Sequence, residues 1–295
     1  MSEISTKQRV KVIAIVGPTA SGKTAYSIKL AKKIGGEIIS ADSRLVYKGF
    51  NIGTAKPTVE EMNGISHYMI DIVEPEFDYS AGLYKKEASK IIYKIASRGK
   101  IPIIVGGTGL YIDILLKNFD LPEFEPNQAL REHLSVYSSQ DLYDMLKGLD
   151  PEGALSIEQN DKKKIIRAIE ILTVTGKPLS SSRGIGKSEF DIEWIGCNYP
   201  RDVLYERINK RVDLMVEQGL IEETKKLLQK HGRIYNLINT IGYREIILYL
   251  DGMVSLEESL ELLKQNTRKY AKRQLTWFRK NENIKWNIFP EKLKK

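Results

Sequence analysis

Residues Gly17, Pro18, Thr19, Ala20, Ser21, Gly22, Lys23 and Thr24 follow the pattern G-x-x-x-x-G-K-[ST]. In such a loop, backbone N–H groups between the two glycines wrap phosphate oxygens, the lysine adds a point charge, and the final hydroxyl can hold Mg2+. The expected ligand is a diphosphate or polyphosphate, with Mg2+ as cofactor and Thr24 as its contact on the protein. The motif fixes neither which phosphate compound binds nor what becomes of it. A glycine turn that merely joins a strand to a helix is the bland alternative, and both flanks weigh against it. Val10–Val16 is an apolar, β-branched run suited to a buried strand, and Thr24–Lys33 reads as a helix whose N-terminal dipole favours an anion.

In open parallel sheets, ligands sit beyond the carboxyl ends of the strands. The apolar run Glu37–Ser40 is followed by Ala41-Asp42-Ser43-Arg44-Leu45-Val46-Tyr47, and Ile101–Val105 by Gly106-Gly107-Thr108-Gly109-Leu110-Tyr111. These segments should converge with the phosphate loop and bring a carboxylate, Asp42, and a hydroxyl, Thr108, to the bound phosphates. Asp42 suits a general base or a Mg2+ partner, and equally a turn or helix cap. Gly106 and Gly107 permit close backbone approach to a ligand, or else form a tight turn with none. The marks of a motor ATPase or a GTPase are missing, since the one strand-associated acid, Asp71, serves as well for a cap. A second apparent phosphate loop, Gly184-Ile-Gly-Lys187-Ser188, fails because Ser181 stands where glycine is needed and no buried strand precedes it. The layout points to a small phosphate-transfer or diphosphate-cleaving enzyme.

The elements that must position these groups are those of an α/β protein: a P-loop core with a mostly parallel sheet flanked by helices, plus an inserted all-helical domain. Apolar runs at Val12–Val16, Glu37–Ser40, Tyr68–Ile72 and Ile101–Val105 alternate with helix-like stretches. Pro122 and Pro126 break this alternation. From residue 128 to about 180 the period is helical, as in Leu130/Leu134 and Ile165/Ile166/Ile169/Leu172. A loop rich in Ser and Gly spans 180–188, a further strand 192–198, helices run from 201 to about 280, and Ile284–Phe289 reads as a last short strand. The expected division is a catalytic core of 1–120 and 191–295, interrupted by a helical domain at 121–190.

With 42% hydrophobic residues in 295, the chain can bury a substantial core, and no apolar stretch approaches a membrane span. The N-terminus has no long apolar signal segment. One cysteine, Cys197, excludes an internal disulfide framework, and together these suggest the cytosol. The three histidines are scattered, so no metal-ligand cluster is visible. Net charge is +8, unevenly placed: residues 201–295 carry 20 Lys+Arg against 13 Asp+Glu, and residues 1–200 carry 26 against 25. That asymmetry suits a polyanion such as nucleic acid, or else a solvated basic surface.

Several segments together resemble the tRNA dimethylallyltransferases (tRNA isopentenyltransferases). They are Gly17–Thr24, Ala41–Tyr47 with Lys48-Gly49, Ile52-Gly53-Thr54-Ala55-Lys56-Pro57, His67 between Ser66 and Tyr68, and Gly106–Tyr111. Further along are Asn160-Asp161 through Arg167 to Glu170, Arg207-Ile-Asn-Lys-Arg211, Ile241-Gly242-Tyr243-Arg244-Glu245 and Ala271-Lys272-Arg273-Gln274-Leu-Thr276-Trp277-Phe278. They run in order over nearly the whole chain, and the pair Asp-Ser-x-x-Val-Tyr-Lys-Gly and Ile-Gly-Thr-Ala-Lys-Pro is far more specific than the phosphate loop alone.

The resemblance implies that a dimethylallyl group moves from dimethylallyl diphosphate to the exocyclic amine of the adenine 3′ of the anticodon. Diphosphate would then be the leaving group of the loop at 17–24, without ATP hydrolysis; whether ATP can also occupy the loop stays open. Asp42 matches the family's catalytic aspartate and would take the proton of the amine; aspartates are generally ionised at neutral pH. Arg211 matches a catalytic arginine, whereas by spacing alone Arg207 and Arg211 are i,i+4 neighbours on an exposed helix. Thr108 matches a contact to the target nucleotide. Contacts to the tRNA anticodon stem-loop would come from Asp42, Ser43, Arg44 and Leu45, from Lys163, Lys164, Ile165, Ile166 and Arg167, from Asn239, Thr240, Ile241, Gly242, Tyr243 and Arg244, and, in a looser match, from Arg131. Basic groups there would bind phosphates and set register rather than read bases, or else form a solvated helix face. The target base would leave its stack to reach Asp42.

This chain departs from the family at Arg44, where a small or apolar residue is common, and at Asn239-Thr240, which replaces an Arg-containing pair; Lys162–Lys164 could compensate. Thr276-Trp277-Phe278 suits core packing better than base stacking. Other readings are an adenylate isopentenyltransferase, a small-molecule kinase and a non-catalytic, nucleotide-dependent RNA-binding protein. The helical insertion and basic C-terminal third favour tRNA over a free nucleotide. A monomer is the simplest assembly.

Overall fold

The run Val10–Val16 forms strand β1, and from Val12 onward each of its residues is buried. Burial on both faces is what a central strand of a helix-covered parallel sheet requires. The computed structural model describes residues 9–118, 127–178 and 188–289. After β1 come α1 (Lys23–Ile34), β2 (Gly36–Ser40), α2 (Val59–Met62), β3 (His67–Tyr68), α3 (Ala81–Ala96), β4 (Ile101–Gly106) and α4 (Gly109–Leu116). Next are α5 (Gln128–Ser135), α6 (Ser139–Leu149), α7 (Pro151–Ala154) and α8 (Lys162–Thr175). The chain then forms β5 (Phe190–Asn198), α9 (Arg201–Glu217), α10 (Leu220–His231), α11 (Tyr235–Ile238), α12 (Tyr243–Leu250), α13 (Leu256–Phe278) and β6 (Lys285–Ile288).

The strands lie in the order β3-β2-β4-β1-β5-β6, and every pairing is parallel. Val16 pairs with Gly106 and Ser40 with Val105, so β2, β4 and β1 end side by side. The phosphate loop, the segment after Ala41 and the segment after Gly106 therefore leave one edge of the sheet together, as the strand-end rule requires.

The chain divides into two compact units, Met1–Leu116 with Glu189–Lys295, and Lys117–Ser188. In the first, one face of the sheet packs Ile39, Ile104 and Val12 with Tyr84, Ile92 and Ile112, and the other packs Ile13, Ile15 and Ile103 with Ile28 and Ala31. In the second, α8 turns Ile165, Ala168 and Ile169 onto Leu134, Leu142 and Leu146. Its helices start at side-chain caps: Asn127 accepts from Leu130 N–H, Ser138 from Asp141 N–H and Asp161 from Lys164 N–H.

One expected strand is much shorter than its apolar run. Of Tyr68–Ile72 only Tyr68 joins β3, because Met69 and Asp71 adopt left-handed φ of 64° and 54°. Asp71 is turned there to pair with Lys56, and its N–H donates to the Leu45 carbonyl at 3.0 Å. Pro122, Pro126, residues 180–187 and the rejected loop at Gly184 and Lys187 lie outside the described residues.

Candidate active site

The phosphate loop is shaped by a neighbouring strand. Gly17 has φ +148°, and a Cβ there would stand 2.2 Å from the Cys197 carbonyl oxygen at the end of β5, so only glycine fits. Helix α1 opens at Gly22 with no side-chain cap and no acidic residue in its first turn. Its amide end is thus open to an anion. Lys23 folds back along the loop, its Nζ 2.5 Å from the Pro18 carbonyl and 3.5 Å from Ser21 Oγ. Burial pushes the Lys23 ammonium down to about 8; Arg211 adds to the fall, while Cys197 and Asp42 oppose it.

Two arginines of α9 grip the same loop. Arg211 Nη1 donates to Thr19 Oγ1 at 3.1 Å, and Arg207 Nε donates to the Ala20 carbonyl at 3.0 Å. Arg207 also lies 4.4 Å over the Tyr199 ring. Neither is the solvated surface cation that i,i+4 spacing alone suggests. Burial lowers the Arg211 pKa from its ordinary value, against the pull of Asp42 and Glu61.

Asp42 is half-buried, and its Oδ1 accepts the Arg44 N–H at 2.8 Å. It is therefore a turn-forming aspartate as well as a candidate base. Its charge is felt by Lys23 and Arg211 and also by Tyr84, Tyr111 and Tyr270. It lies where the cationic cluster meets an aromatic one. Thr108 joins the two loops: its Oγ1 accepts Ser43 N–H at 3.1 Å, and its N–H donates to the Ala41 carbonyl at 3.2 Å. Burial pushes the Tyr270 phenol of α13 up to about 12, with the Asp42 charge adding to the rise. Tyr84 stacks on Tyr111 with centroids 4.3 Å apart, and the buried Tyr84 hydroxyl has no hydrogen-bond partner.

The glycine pair lets the protein pack closely on itself. A Cβ at Gly106 would stand 2.1 Å from the Ala41 carbonyl oxygen, and one at Gly107 2.2 Å from Gln274 Nε2. Gln274 was invisible as a site residue because its partners are far away in sequence: its Oε1 accepts the Thr19 N–H at 2.8 Å and its Nε2 donates to the Gly107 carbonyl at 3.0 Å. The expected core segment splits. Phe278 is buried, whereas Trp277 is 41% exposed, packs against Gly109 and donates its Nε1–H to Asp113 at 2.9 Å.

The other positions expected at an RNA surface divide in the same way. Arg44 Nη1 reaches Asn236 Oδ1 at 3.3 Å, and Leu45 is half-buried. In the segment 239–244, Tyr243 is fully buried with its hydroxyl on Glu223 at 2.7 Å, and the buried Thr240 donates to the Asn236 carbonyl. Gly242 caps α12 at φ 108° against the Gly53 carbonyl, and Ile241 packs on the core. Asn239 donates to the Tyr235 carbonyl, and Arg244 pairs with Glu245. Within the helical unit, Ile165 is fully buried and the half-buried Ile166 packs beside it. Arg131 and Arg167 converge on the buried Glu170, at 2.9 and 2.6 Å. Burial alone would raise the Glu170 carboxyl; hydrogen bonds from Arg131, Arg167 and the Asn127 N–H hold it below its ordinary range. Lys163 and Lys164 are exposed, the latter paired with Asp161.

The donor set fits Mg2+ of one kind only. Among the described residues no group of three or more His, Cys, Asp or Glu could hold a metal ion. Thr24 is exposed at the start of α1. A single hydroxyl matches an ion carried mainly by phosphate oxygens and water, which is how Mg2+ binds at nucleotide and diphosphate sites.

A parallel sheet with a phosphate loop at its central strand, closed over by two arginines and faced by a carboxylate, defines a P-loop phosphate-binding enzyme of the group-transfer kind. The match to known proteins narrows this: residues 45–281 fit the family described as IPP transferase, and residues 10–76 that described as isopentenyl transferase. The chain belongs to the IPP transferase family. It is 47% identical over 287 residues to the tRNA dimethylallyltransferase of Thermoanaerobacter sp. (strain X514), covering 94% of this chain and 91% of that one. The full-length tRNA isopentenylpyrophosphate transferase of Bacillus halodurans superposes with a TM-score of 0.72 at 44% identity, covering 95% of this chain and 90% of that one. A eukaryotic dimethylallyltransferase acting on tRNA superposes with a TM-score of 0.81 at 33% identity, over 91% of this chain and 70% of that one.

Proposed function

We infer that this chain is a tRNA dimethylallyltransferase. The reading is supported by the convergence, at the carboxyl ends of β1, β2 and β4, of the loop at 17–24, the Asp42 turn and Thr108, whose Oγ1 accepts the Ser43 N–H. The donor is dimethylallyl diphosphate and the acceptor is the exocyclic amine of the adenine 3′ of the anticodon. A cytosolic monomer suits such an enzyme.

In the reaction, the bond from the allylic carbon to the diphosphate oxygen breaks as the bond to the adenine nitrogen forms. Amides of the loop at 17–24 and the Lys23 ammonium take up the negative charge that grows on the departing diphosphate. Arg211 holds Thr19 in place and adds positive potential. Mg2+, held through Thr24 and the phosphates, would supply further charge neutralisation. The amine sheds one proton on attack, and Asp42 accepts it. Thr108 keeps Ser43, and with it the Asp42 turn, in register with the acceptor.

Replacing Asp42 tests the assignment. Asp42→Ala is expected to lower transfer by at least about a hundredfold while inorganic pyrophosphate still binds. Loss of both together would make Asp42 a structural or metal-site residue.

A further inference from the structure

Helix α13 presents one side chain to both halves of the site. Gln274 is 5% exposed, and each end of its amide is engaged: Oε1 by the Thr19 N–H at 2.8 Å, Nε2 by the Gly107 carbonyl at 3.0 Å. The amide has one possible orientation, because only its oxygen can accept from a backbone N–H. The fit is tight, since a single added carbon on Gly107 would meet Nε2 at 2.2 Å. On one side Thr19 accepts from Arg211; on the other Thr108 holds the Ser43 N–H next to Asp42. A continuous line of hydrogen bonds and backbone thus runs from the phosphate site to the candidate base, and Gln274 is its narrowest point.

We propose that Gln274 is a positioning residue that couples the diphosphate site to the acceptor site, so that each ligand binds more tightly when the other is present. The proposal rests on the reading of the chain as an RNA prenyltransferase. Such coupling has a chemical purpose. An allylic diphosphate that ionises before the amine arrives loses its prenyl group to water, so the phosphate loop gains by closing fully only over an occupied acceptor site. A primary amide is suited to the task because it carries a donor and an acceptor on one rigid plane. Methionine has the same length and neither group. Glutamate would set an oxygen against the Gly107 carbonyl, but once protonated it again offers one donor and one acceptor.

The test measures coupling directly, which contact geometry alone does not establish. Binding of an unmodified anticodon stem-loop RNA to the full chain is titrated with and without saturating inorganic pyrophosphate and Mg2+. In the wild type pyrophosphate is expected to tighten RNA binding at least about fivefold, and RNA to tighten pyrophosphate binding by the same factor. In Gln274→Met that factor falls to within about twofold of unity while each ligand alone still binds. In Gln274→Glu it recovers as pH is lowered, with no matching change in the wild type. Absence of coupling in the wild type overturns the proposal, as does full coupling in both variants. So does joint loss of both affinities in Gln274→Met without recovery in Gln274→Glu, which marks a packing role. RNA that fails to bind the wild type at all would instead contradict the RNA reading on which the proposal stands.

Discussion

At neutral pH Lys23 keeps its proton with little margin, because burial pushes its pKa down to about 8. A bound diphosphate favours the charged form, so binding draws a proton onto Lys23 whenever the free protein has lost it. Affinity for inorganic pyrophosphate should therefore fall as pH rises through about 8, by up to about tenfold per pH unit. Lys23→Met should bind weakly throughout and lack this slope; calorimetric titration of both separates Lys23 from the ligand's own ionisation. The sign for folding is opposite. Between about 8 and the ordinary 10.5 the unfolded chain holds the extra proton, so this group's contribution to stability rises with pH in that window. At this scale the phosphate loop, Asp42 and Thr108 were legible because a short motif or a strand end marks each. The roles of Arg207 and Gln274 were not, although both stand in segments that resemble the family, and Tyr270 had no signal at all. Gln274 meets Thr19 across 255 residues, and no local pattern records such a contact. Gly106 and Gly107 were legible as close approaches, and Ala41 and Gln274 are the protein groups that stand against them.

Elements set the site through a few polar anchors that each hold several donors. Glu223 on α10 accepts the Ile52 N–H at 2.9 Å, the Gly53 N–H at 3.0 Å and the Tyr243 hydroxyl at 2.7 Å. It ties the Ile-Gly-Thr-Ala-Lys-Pro loop to the start of α12, whose buried Tyr243 ring leaves no room for a side chain at Gly53. Glu223→Ala strands three donors at once and should cost about 3 kcal/mol of stability, seen as a lower denaturant midpoint. An unchanged midpoint would show that water replaces the carboxylate. The alternating strands and the long C-terminal helices were readable from period and apolar runs. The stretch Tyr68–Ile72 misled, since its apolar content suits a strand while Asp71 is pulled out of extended geometry by Lys56. Helix α8 was readable as basic, yet its Arg167 turns to Glu170, because a carboxylate buried inside the helical unit needs cations.

On the scale of the whole molecule, a net charge of +8 concentrated in the last third predicts that RNA binding is strongly salt-dependent. The stem-loop Kd should weaken about tenfold or more between roughly 50 and 200 mM monovalent salt. A flat response would mean that phosphates contribute little. Fold class and family were legible because ordered motifs run the length of the chain. The partnerships of individual arginines were not, because charge counts do not say which cations are already engaged. In the proposed reaction the loop at 17–24 grips a leaving group while RNA supplies the nucleophile. Incubating the protein with labelled dimethylallyl diphosphate, Mg2+ and either unmodified tRNA or AMP tests it most directly. Label is expected on the adenine 3′ of the anticodon in tRNA, without ATP and with AMP untouched. Label on AMP alone, or phosphorylation that requires ATP in place of prenyl transfer, would contradict the account.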